Sequence, residues 1–372
     1  MSSRRLHIVH TEASCGWGGQ EIRILTEAAG LIERGHRVEL LCPQEATIYQ
    51  AAAGYGVPVT ALPIGRKNLR GLWAMRQWLR QHGHRVDVLN THSSTDSWLV
   101  ALANCTLSHP APVVRTRHVS SPINTKRSTF WLYQSAVQHL VVTGQPLLEQ
   151  LVQQNGFAAE SMTSIPTGID LSRFTPGVKA EAREVLGIPE GRWLGILATL
   201  RDWKGHEYLF EALAQLQSSF PELRLLVIGD GPYRDRLDAR LERMALGDRV
   251  WFVGQQANPE RWLQALDLFV LPSYGDEGVS QAVMQAMACR LPVITTPIGG
   301  MADAVQHEHN GIMVPPKNSE ALAGAIRDLL LHPERCEQLA TQAHQDAQAR
   351  FGRDVMLNRM EAVFQRFARK VG

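Results

Sequence analysis

The stretch from residue 271 to residue 289 carries the clearest chemical signal in the chain. It predicts a strand that ends at Leu271, a polar glycine-containing loop, and a helix that begins near Val279. The first-turn N–H groups of such a helix attract a phosphate. The Glu277 carboxylate, just before the helix, can accept hydrogen bonds from sugar hydroxyls, and Gln285 lies about two turns further on the same face.

A second loop places two cations after a predicted strand. Arg201 and Lys204 lie between that strand and the following helix, in the sequence Thr-Leu-Arg-Asp-Trp-Lys-Gly. A planar guanidinium and a compact ammonium together suit a diphosphate. The alternative is that both are solvated loop charges.

Two glycine-rich turns also follow strands. Gly18 and Gly19 open the first helix, where backbone N–H groups can approach an anion closely. The spacing is not Gly-x-Gly-x-x-Gly, so a dinucleotide fingerprint is not met. Gly229 begins a Gly-Asp-Gly-Pro turn that lets the backbone approach a ligand.

The elements that position these residues alternate between short β-branched runs and amphipathic stretches. This alternation predicts an α/β protein with parallel sheets, and it restarts after a turn-rich break at residues 166–177. We therefore predict two Rossmann-like, doubly wound domains, residues 1–170 and 171–352, with a C-terminal helix at 353–372 that packs back on the first. Ligands bind at the carboxyl ends of the strands in such sheets, which predicts a site in an interdomain cleft.

Composition fits a two-domain protein of 372 residues. Five scattered cysteines favour a reducing cytoplasm over a disulfide framework or a structural zinc site, and no apolar run is long enough for a signal peptide or a spanning helix. Residues 1–175 hold 16 Lys and Arg against 11 Asp and Glu, whereas residues 176–372 hold 22 against 25. The basic half is suited to an anionic partner, although ordinary scatter of surface charge explains the difference equally well.

Taken together, the motifs resemble those of the retaining glycosyltransferases of family 4, which have the GT-B fold. The resemblance covers nearly the whole chain: the Gly-Gly loop, Arg-x-x-Lys-Gly, Gly-Asp-Gly-Pro, and Glu-Gly followed by Ala-Met-Ala-Cys and Pro-Val-Ile. It implies that the donor diphosphate is held by Gly18, Gly19, Arg201 and Lys204. It further implies that Glu277 contacts the transferred sugar and that the N–H groups of Gly278 and Val279 face the distal phosphate.

The family also places a histidine of the first domain near the reacting sugar. His118 is the best match, since it follows a predicted strand, and His92 and His10 compete for the same role. The family is generally metal-independent, and Asp276 with Glu277 lacks a matching cluster of metal ligands. We therefore expect no metal and no cofactor, the nucleotide sugar being a co-substrate.

Position 285 departs from the family, which has a second glutamate there that binds the ribose hydroxyls. Gln285 still offers a carbonyl oxygen, but a neutral hydrogen bond contributes about 0.5–1.5 kcal/mol against about 1.5–3 for a charge-assisted one. We expect donor binding weakened by at most about tenfold.

Residues 68–81 form a predicted basic amphipathic helix. Six cations and no acid lie between residues 66 and 85, around Leu69, Trp73 and Trp78. Such a helix can lie on an anionic bilayer, or it can pack on the sheet with a solvated basic face.

The resulting prediction is a glycosyltransferase that moves a sugar, with retention, from a UDP-sugar or GDP-mannose to a hydroxyl of a glycolipid, lipopolysaccharide or polysaccharide precursor. Its partners are a nucleoside diphosphate sugar and a sugar or lipid-linked saccharide, not nucleic acid. Its expected location is the cytoplasm, with or without peripheral contact with the inner face of the membrane. The alternatives are a non-catalytic GT-B binding or regulatory protein and a sugar-nucleotide epimerase.

Overall fold

A computed structural model describes residues 4–119, 121–275 and 277–369. The chain forms two compact units: one holds the residues up to Gly168 and those from Arg353 onward, and the other is Ile169–Gly352. The division lies two residues before the boundary predicted at 170/171. Both units are Rossmann-like and built on a parallel sheet, which confirms the predicted fold class.

The first unit contains a seven-stranded parallel sheet in the order β3-β2-β1-β4-β5-β6-β7. The four central strands are buried along their whole length, as expected when helices cover both faces. The strands are β1 (His7–Thr11), β2 (Arg37–Cys42), β3 (Val59–Ala61), β4 (Val88–Thr91), β5 (Val113–Arg117), β6 (His139–Val142) and β7 (Met162–Ser164).

Six helices connect these strands: α1 (Gly19–Glu33), α2 (Thr47–Ala51), α3 (Leu69–His82), α4 (Ser94–Asn104), α5 (Arg127–Phe130) and α6 (Gln145–Asn155). Helix α3 begins where Asn68 caps it, because the Asn68 side chain accepts a hydrogen bond from the Gly71 N–H at 2.8 Å. Helix α4 begins with a capping box formed by Ser93 and Asp96.

The second unit contains a six-stranded parallel sheet in the order β10-β9-β8-β11-β12-β13. Its strands are β8 (Arg192–Leu197), β9 (Leu223–Ile228), β10 (Val250–Gly254), β11 (Leu268–Leu271), β12 (Val293–Thr295) and β13 (Ile312–Met313). Its helices are α7 (Lys179–Leu186), α8 (His206–Leu216), α9 (Arg234–Met244), α10 (Pro259–Gln264), α11 (Gln281–Ala288), α12 (Met301–Ala304), α13 (Ser319–Leu331) and α14 (Pro333–Arg350).

The last helix, α15 (Arg353–Phe367), belongs to the first unit. Its apolar residues Leu357, Met360 and Phe364 are buried in the same core cluster as Ile24 of α1. A Cβ atom on Gly30 of α1 would lie 2.4 Å from Leu357 Cδ1, so glycine is what allows the two helices to approach this closely.

In both sheets the strand order reverses beside the first strand of the unit. The reversal lies between β1 and β4 in the first sheet and between β8 and β11 in the second. Loops that leave adjacent strands in opposite directions open a crevice at such a switch point, which is where α/β sheets bind ligands. The topology therefore selects the loops after β1, β4, β8 and β11.

Candidate functional site

Two predicted site residues of the second unit, Lys204 and Glu277, are paired at its switch point. The Glu277 Oε1 atom accepts hydrogen bonds from Lys204 Nζ at 2.5 Å and from Ser273 Oγ at 2.8 Å. The Glu277 side chain is 7% exposed and that of Lys204 is 18% exposed. The sequence indicated a separate role for each residue. In the structure their ion pair joins the loop after β8 to the loop after β11.

The backbones of these two loops lie so close together that Gly205 has no room for a side chain. This residue has a φ of 78°, and a Cβ there would lie 2.1 Å from the Pro272 carbonyl oxygen. The Tyr274 N–H also donates to the Trp203 carbonyl oxygen at 2.8 Å. The helix that follows this loop begins at His206, after a separate 3₁₀ turn at residues 202–204.

Arg201, in the same loop, is exposed, and its guanidinium lies 5.5 Å from the centre of the Trp203 ring. No carboxylate of the described residues forms an ion pair with it. The switch point therefore presents one cation paired with a buried carboxylate and one exposed cation, a combination suited to a dianionic group.

The helix that the sequence starts near Val279 begins two residues later, at Gln281. Ser280 is its N-cap, with a side chain that accepts a hydrogen bond from the Val283 N–H. Gly278 and Val279 are thus loop residues before the helix, and the predicted start near Val279 is two residues too early. The cause is the preference of serine for the cap position, where its side chain replaces a backbone acceptor.

Gln285 lies in the second turn of α11 and is half-buried. Among the described residues its side chain has no hydrogen-bond partner. Asp276, which the sequence analysis weighed as a metal ligand, lies outside the described residues. Within them, no group of three or more His, Cys, Asp and Glu side chains could hold a metal ion.

Gly229 is explained by packing within the unit. It has a φ of 140°, and a Cβ there would lie 2.0 Å from the Ala198 carbonyl oxygen. The loop after β9 therefore supports the loop that carries Arg201 and Lys204. This contact accounts for the glycine without a ligand and leaves its predicted role in donor binding a prediction.

A glycine pair after β12 contributes to the site although sequence reasoning missed it. The Gly300 N–H donates to the Glu277 carbonyl oxygen at 3.1 Å. A Cβ on Gly299, whose φ is 57°, would lie 1.9 Å from that same oxygen. The Gly-Gly sequence in the loop that follows β12 was the available signal.

In the first unit, Gly18 and Gly19 lie where the sequence predicts, at the start of α1. Gly18 is the N-cap and Gly19 is the first helical residue. A Cβ on Gly18 would make only an ordinary contact, 3.7 Å from Glu21 Oε2. Internal packing therefore leaves room for a side chain at this position.

Beside this loop lies Glu12, a buried carboxyl that the sequence analysis did not select. Its oxygens accept hydrogen bonds from the Ser14 N–H at 2.6 Å and from Gln20 Nε2 at 2.5 Å. Burial, followed by the charge of Asp96, raises the pKa of Glu12 to about 8. At neutral pH the carboxyl is therefore mostly protonated and adds little negative charge to the loop.

The three histidines that compete in the sequence form one hydrogen-bonded row. His10 Nδ1 lies 2.9 Å from His92 Nε2, and His92 Nδ1 lies 2.9 Å from His118 Nε2. They come from β1 and from the ends of β4 and β5, which are neighbours in the sheet. The structure thus connects His118 to both of its competitors.

The basic helix α3 divides its apolar residues between two faces. Met75, Trp78 and Leu79 are buried in a core cluster, whereas Leu69 is 83% and Trp73 is 65% exposed. The helix therefore packs on its unit and still presents two large apolar side chains among exposed cations. None of the helices in the described part of the chain has the length and hydropathy needed to cross a bilayer.

Comparisons with known proteins agree with this architecture. The family model described as "Glycosyltransferase Family 4" matches residues 17–173, and the model described as "Glycosyl transferases group 1" matches residues 178–346. The D-inositol 3-phosphate glycosyltransferase of Rhodococcus jostii is 27% identical over 89% of this chain and 81% of its own length.

Two further proteins are similar over most of the chain. TuaC of Bacillus subtilis, which carries the name of a teichuronic acid biosynthesis glycosyltransferase, is 31% identical over 74% of this chain and 70% of its own. The crystal structure of Anabaena HepE in complex with UDP and glucose superposes with a TM-score of 0.85 at 21% identity, covering 97% of this chain and all of that one.

Proposed function

We infer the function from the premise that this chain belongs to the family 4 glycosyltransferases with the GT-B fold. Glycosyl transfer is the activity of that family. We propose that the donor is a nucleoside diphosphate sugar whose diphosphate binds Arg201 and Lys204, and that the anomeric configuration is retained. The observation that carries the proposal is the placement of Arg201, Lys204 and Glu277 at the switch point of the second sheet.

The chemistry at this point is mainly electrostatic. A departing diphosphate gains negative charge in the transition state, and preorganised cations stabilise it there. Glu277 holds the Lys204 ammonium group in place, so little reorganisation is needed. These cations supply the charge that a metal ion provides in other transferases, and we therefore propose a metal-independent reaction.

Glu277 is proposed to orient the transferred sugar. Its Oε1 is engaged by Lys204 and Ser273, and its buried carboxylate can accept further hydrogen bonds from sugar hydroxyls. Gly278 and Val279 are proposed to direct N–H groups at the distal phosphate as loop residues, and Gln285 is proposed to contact the ribose.

The first unit is proposed to bind substrate at its own switch point. Gly18 and Gly19 lie at the start of α1, where N–H groups and the helix dipole favour a phosphate. His118 follows β5 on the ligand end of that sheet and is proposed to contact the sugar. Gly229 is proposed to act indirectly, through its support of the Arg201 loop.

For the donor we propose a UDP-sugar, because the similar HepE structure is described with UDP and glucose. For the acceptor we propose a hydroxyl of an anionic or lipid-linked saccharide. The names of two relatives, D-inositol 3-phosphate and teichuronic acid, both describe anionic molecules. The excess of cations in residues 1–175 suits such an acceptor.

The membrane is proposed as the place of action, with α3 as the contact. Leu69 and Trp73 would enter the headgroup region, and the surrounding cations would face anionic lipid. Sedimentation with vesicles of phosphatidylglycerol and phosphatidylcholine at low salt tests this. We expect binding that the double change L69S/W73S abolishes, and wild type that stays in solution would contradict the proposal.

Donor turnover tests the activity itself. The protein is incubated with a panel of UDP- and GDP-sugars, with and without a membrane or polysaccharide extract, and released nucleoside diphosphate is measured with and without EDTA. We expect acceptor-dependent release that EDTA does not change. Binding without release would favour a regulatory protein, and acceptor-free interconversion of donors, seen by NMR, would favour an epimerase.

The variant K204M separates the proposed site from general stability, with K179M as its matched control. Both lysines lie 2.5 Å from a carboxylate of the same unit, Glu277 for Lys204 and Asp267 for Lys179. We expect K204M to lower kcat/KM by at least about a hundredfold, as is typical when a transition-state charge partner is lost. K179M keeps wild-type turnover if the proposal holds, and equal losses in the two variants would refute it.

A further inference from the structure

Two buried arginines of β5 have no carboxylate to pair with. Arg115 is 2% exposed and Arg117 is 7% exposed, and no acid among the described residues forms an ion pair with either. The Nε and Nη1 atoms of Arg115 also lack a hydrogen-bond partner within the part of the chain that the structure describes. A buried charge without a partner costs free energy, so folding alone does not account for Arg115.

An aromatic ring and a carbonyl group hold the two guanidinium groups. The Arg115 Cζ atom lies 4.0 Å from the centre of the Tyr133 ring, and Arg117 Nη1 donates a hydrogen bond to Tyr133 Oη at 3.1 Å. Arg117 Nη2 donates to the Ser121 carbonyl oxygen. A ring face and neutral oxygens position a guanidinium without neutralising its charge. This face of the sheet therefore keeps its positive charge.

The acid whose charge acts on Arg115 is Asp96, in the first turn of α4. Its oxygens accept hydrogen bonds from Thr11 Oγ1 at 2.6 Å, from the His92 N–H at 2.9 Å and from the Ser93 N–H at 2.8 Å. Burial also raises the pKa of Asp96 above its usual range. Asp96 therefore serves other donors and offsets little of the neighbouring positive charge.

A third cation, Lys67, lies at the start of α4. Its Nζ donates a hydrogen bond at 3.0 Å to the Oγ of Ser94, the first residue of that helix. Ser97, about one turn further along, donates to Thr91 Oγ1 at 2.9 Å, and Thr91 pairs with Arg115 across β4 and β5. The exposed Lys67 contact and the buried Arg115 thus lie on the face of the sheet that α4 covers.

These groups together favour a dianion. Loss of hydration, followed by the positive charge of Arg115, lowers the pKa of Lys67, so the two cations lie within range of each other. Helix α4 has 11 residues, and the positive end of its dipole adds to their field. A phosphate monoester carries a charge of about −1.5 to −2 at pH 7 and offers three acceptor oxygens, whereas a carboxylate offers one charge and two oxygens.

We propose that Lys67, Ser94 and Arg115 form a subsite for a phosphate group of the acceptor. Lys67 Nζ and Ser94 Oγ contact the phosphate, and Arg115 supplies charge from the weakly screened interior. The proposal rests on the function proposed above, since that function supplies the acceptor. It narrows the acceptor from an anionic saccharide to one that carries phosphate.

Phosphate binding can be measured in the full-length protein by isothermal titration at low salt. Saturating UDP is added to fill the proposed diphosphate site, and the probes are inorganic phosphate, glucose 6-phosphate and uncharged glucose. We expect both phosphates to bind and glucose not to bind. In K67M the dissociation constants should rise at least about tenfold, as expected for the loss of one charge-assisted hydrogen bond.

The matched control is R80M, which removes an exposed cation from the last turn of α3. It lowers the net charge of the protein by the same amount as K67M and should bind phosphate like wild type. Equal affinities in K67M and wild type overturn the subsite, as do equal losses in K67M and R80M.

R115M gives a readout that a purely structural role would not. Methionine keeps an unbranched apolar side chain against Tyr133 and removes the unpaired charge. Without phosphate, R115M should unfold at or above the temperature of wild type, because no ion pair is lost. The rise in unfolding temperature that phosphate gives wild type should largely disappear. A destabilised R115M that keeps this rise refutes the role of Arg115, and if R115M does not fold, the K67M and R80M titrations decide.

The phosphate can belong to a soluble sugar or to a lipid headgroup, and sedimentation with vesicles of phosphatidic acid and phosphatidylcholine distinguishes them. A larger loss of vesicle binding in K67M than in R80M identifies a headgroup, and a loss confined to glucose 6-phosphate identifies a soluble sugar. No specific loss in either arm overturns the subsite. If wild type turns over no sugar nucleotide, the proposed function fails while the phosphate measurement stands on its own.

Discussion

Among single residues, Lys204 and Glu277 show how an ion pair stabilises a buried charge. Glu277 is almost completely buried, and a buried carboxylate without a partner is costly. Lys204 and Ser273 satisfy it through two hydrogen bonds, and the Lys204–Glu277 pair holds the two loops together. Removing Lys204 should therefore disturb both the loop and the ligand contact.

Gln285 supports a prediction about donor affinity. Replacing it by glutamate should tighten binding of the nucleoside diphosphate by up to about tenfold, because a charge-assisted bond to the ribose replaces a neutral one. Q285A should weaken binding below wild type. Isothermal titration with UDP and GDP measures the series, and an order in which Q285E binds more weakly than Q285A would contradict a ribose contact.

Glu12 supports a prediction about pH. Its pKa is about 8 in the folded protein and near 4.5 when unfolded, so the folded state binds the proton more strongly between these values. Stability contributed by the protonated carboxyl is present below about pH 4.5 and is lost as pH rises toward 8. E12Q should remove this pH dependence. Its free energy of unfolding should therefore rise relative to that of wild type by at most about 1.4 kcal/mol per pH unit.

Urea unfolding at half-unit intervals from pH 5 to 8.5 measures the difference. Glu149, an exposed residue of α6, offers the control change E149Q, which should leave the slope as in wild type. A wild-type slope that persists in E12Q would show that Glu12 is already ionised at low pH.

Among the elements, the loops after β8, β9, β11 and β12 form one support. Gly205, Gly229 and Gly299 each lie against a carbonyl oxygen of a neighbouring loop, closer than a side chain allows. A clash with backbone atoms cannot be relieved by a change of rotamer. Contacts of this kind therefore restrict the positions of the loops more than side-chain packing does. The candidate site thus depends on glycines that bear no functional group.

Gly205 and Gly187 provide a matched test of this support. Both have positive φ, 78° and 65°, but a Cβ at 205 would meet Pro272 whereas nothing lies within 4 Å of one at 187. G187A should cost about 1 kcal/mol of stability from backbone strain alone and keep full turnover. G205A should cost more and lower kcat/KM at least tenfold, because Lys204 moves away from Glu277.

Thermal unfolding and donor turnover of both variants check the comparison. Equal stability and activity in G187A and G205A would mean that the Pro272 contact has no part in holding the site.

For the whole molecule, the path of the chain matters to stability. The last helix of the chain, α15, returns to the first unit and completes it. Phe364 of α15 is fully buried in the first unit, and Leu339 of α14 is 4% exposed in the core of the second. Each unit has its own core and is expected to unfold with its own transition.

F364A should destabilise the first unit by about 3–5 kcal/mol, as is usual when a buried phenylalanine is truncated. L339A should instead lower the transition of the second unit. Differential scanning calorimetry, with UDP added to identify the donor-binding transition, resolves the two. A single transition that both variants shift equally would contradict separate cores.

The two parallel-sheet domains and the loops that carry the candidate chemistry are readable from the amino-acid sequence alone. Alternating periodicity and the position of Arg201, Lys204 and Glu277 after apolar strands are local properties, readable within short windows. The start of α11 was misplaced by two residues because Ser280 acts as a cap, and a cap is decided by a single hydrogen bond.

Which of these residues come into contact depends on the tertiary fold. Lys204 and Glu277 are 73 residues apart, and His10 and His92 are 82 apart. Their contacts depend on β11 lying beside β8 and on β4 lying beside β1, an order that no local pattern encodes. Strand order and register bring distant residues together, and burial then lowers the pKa values of the two histidines.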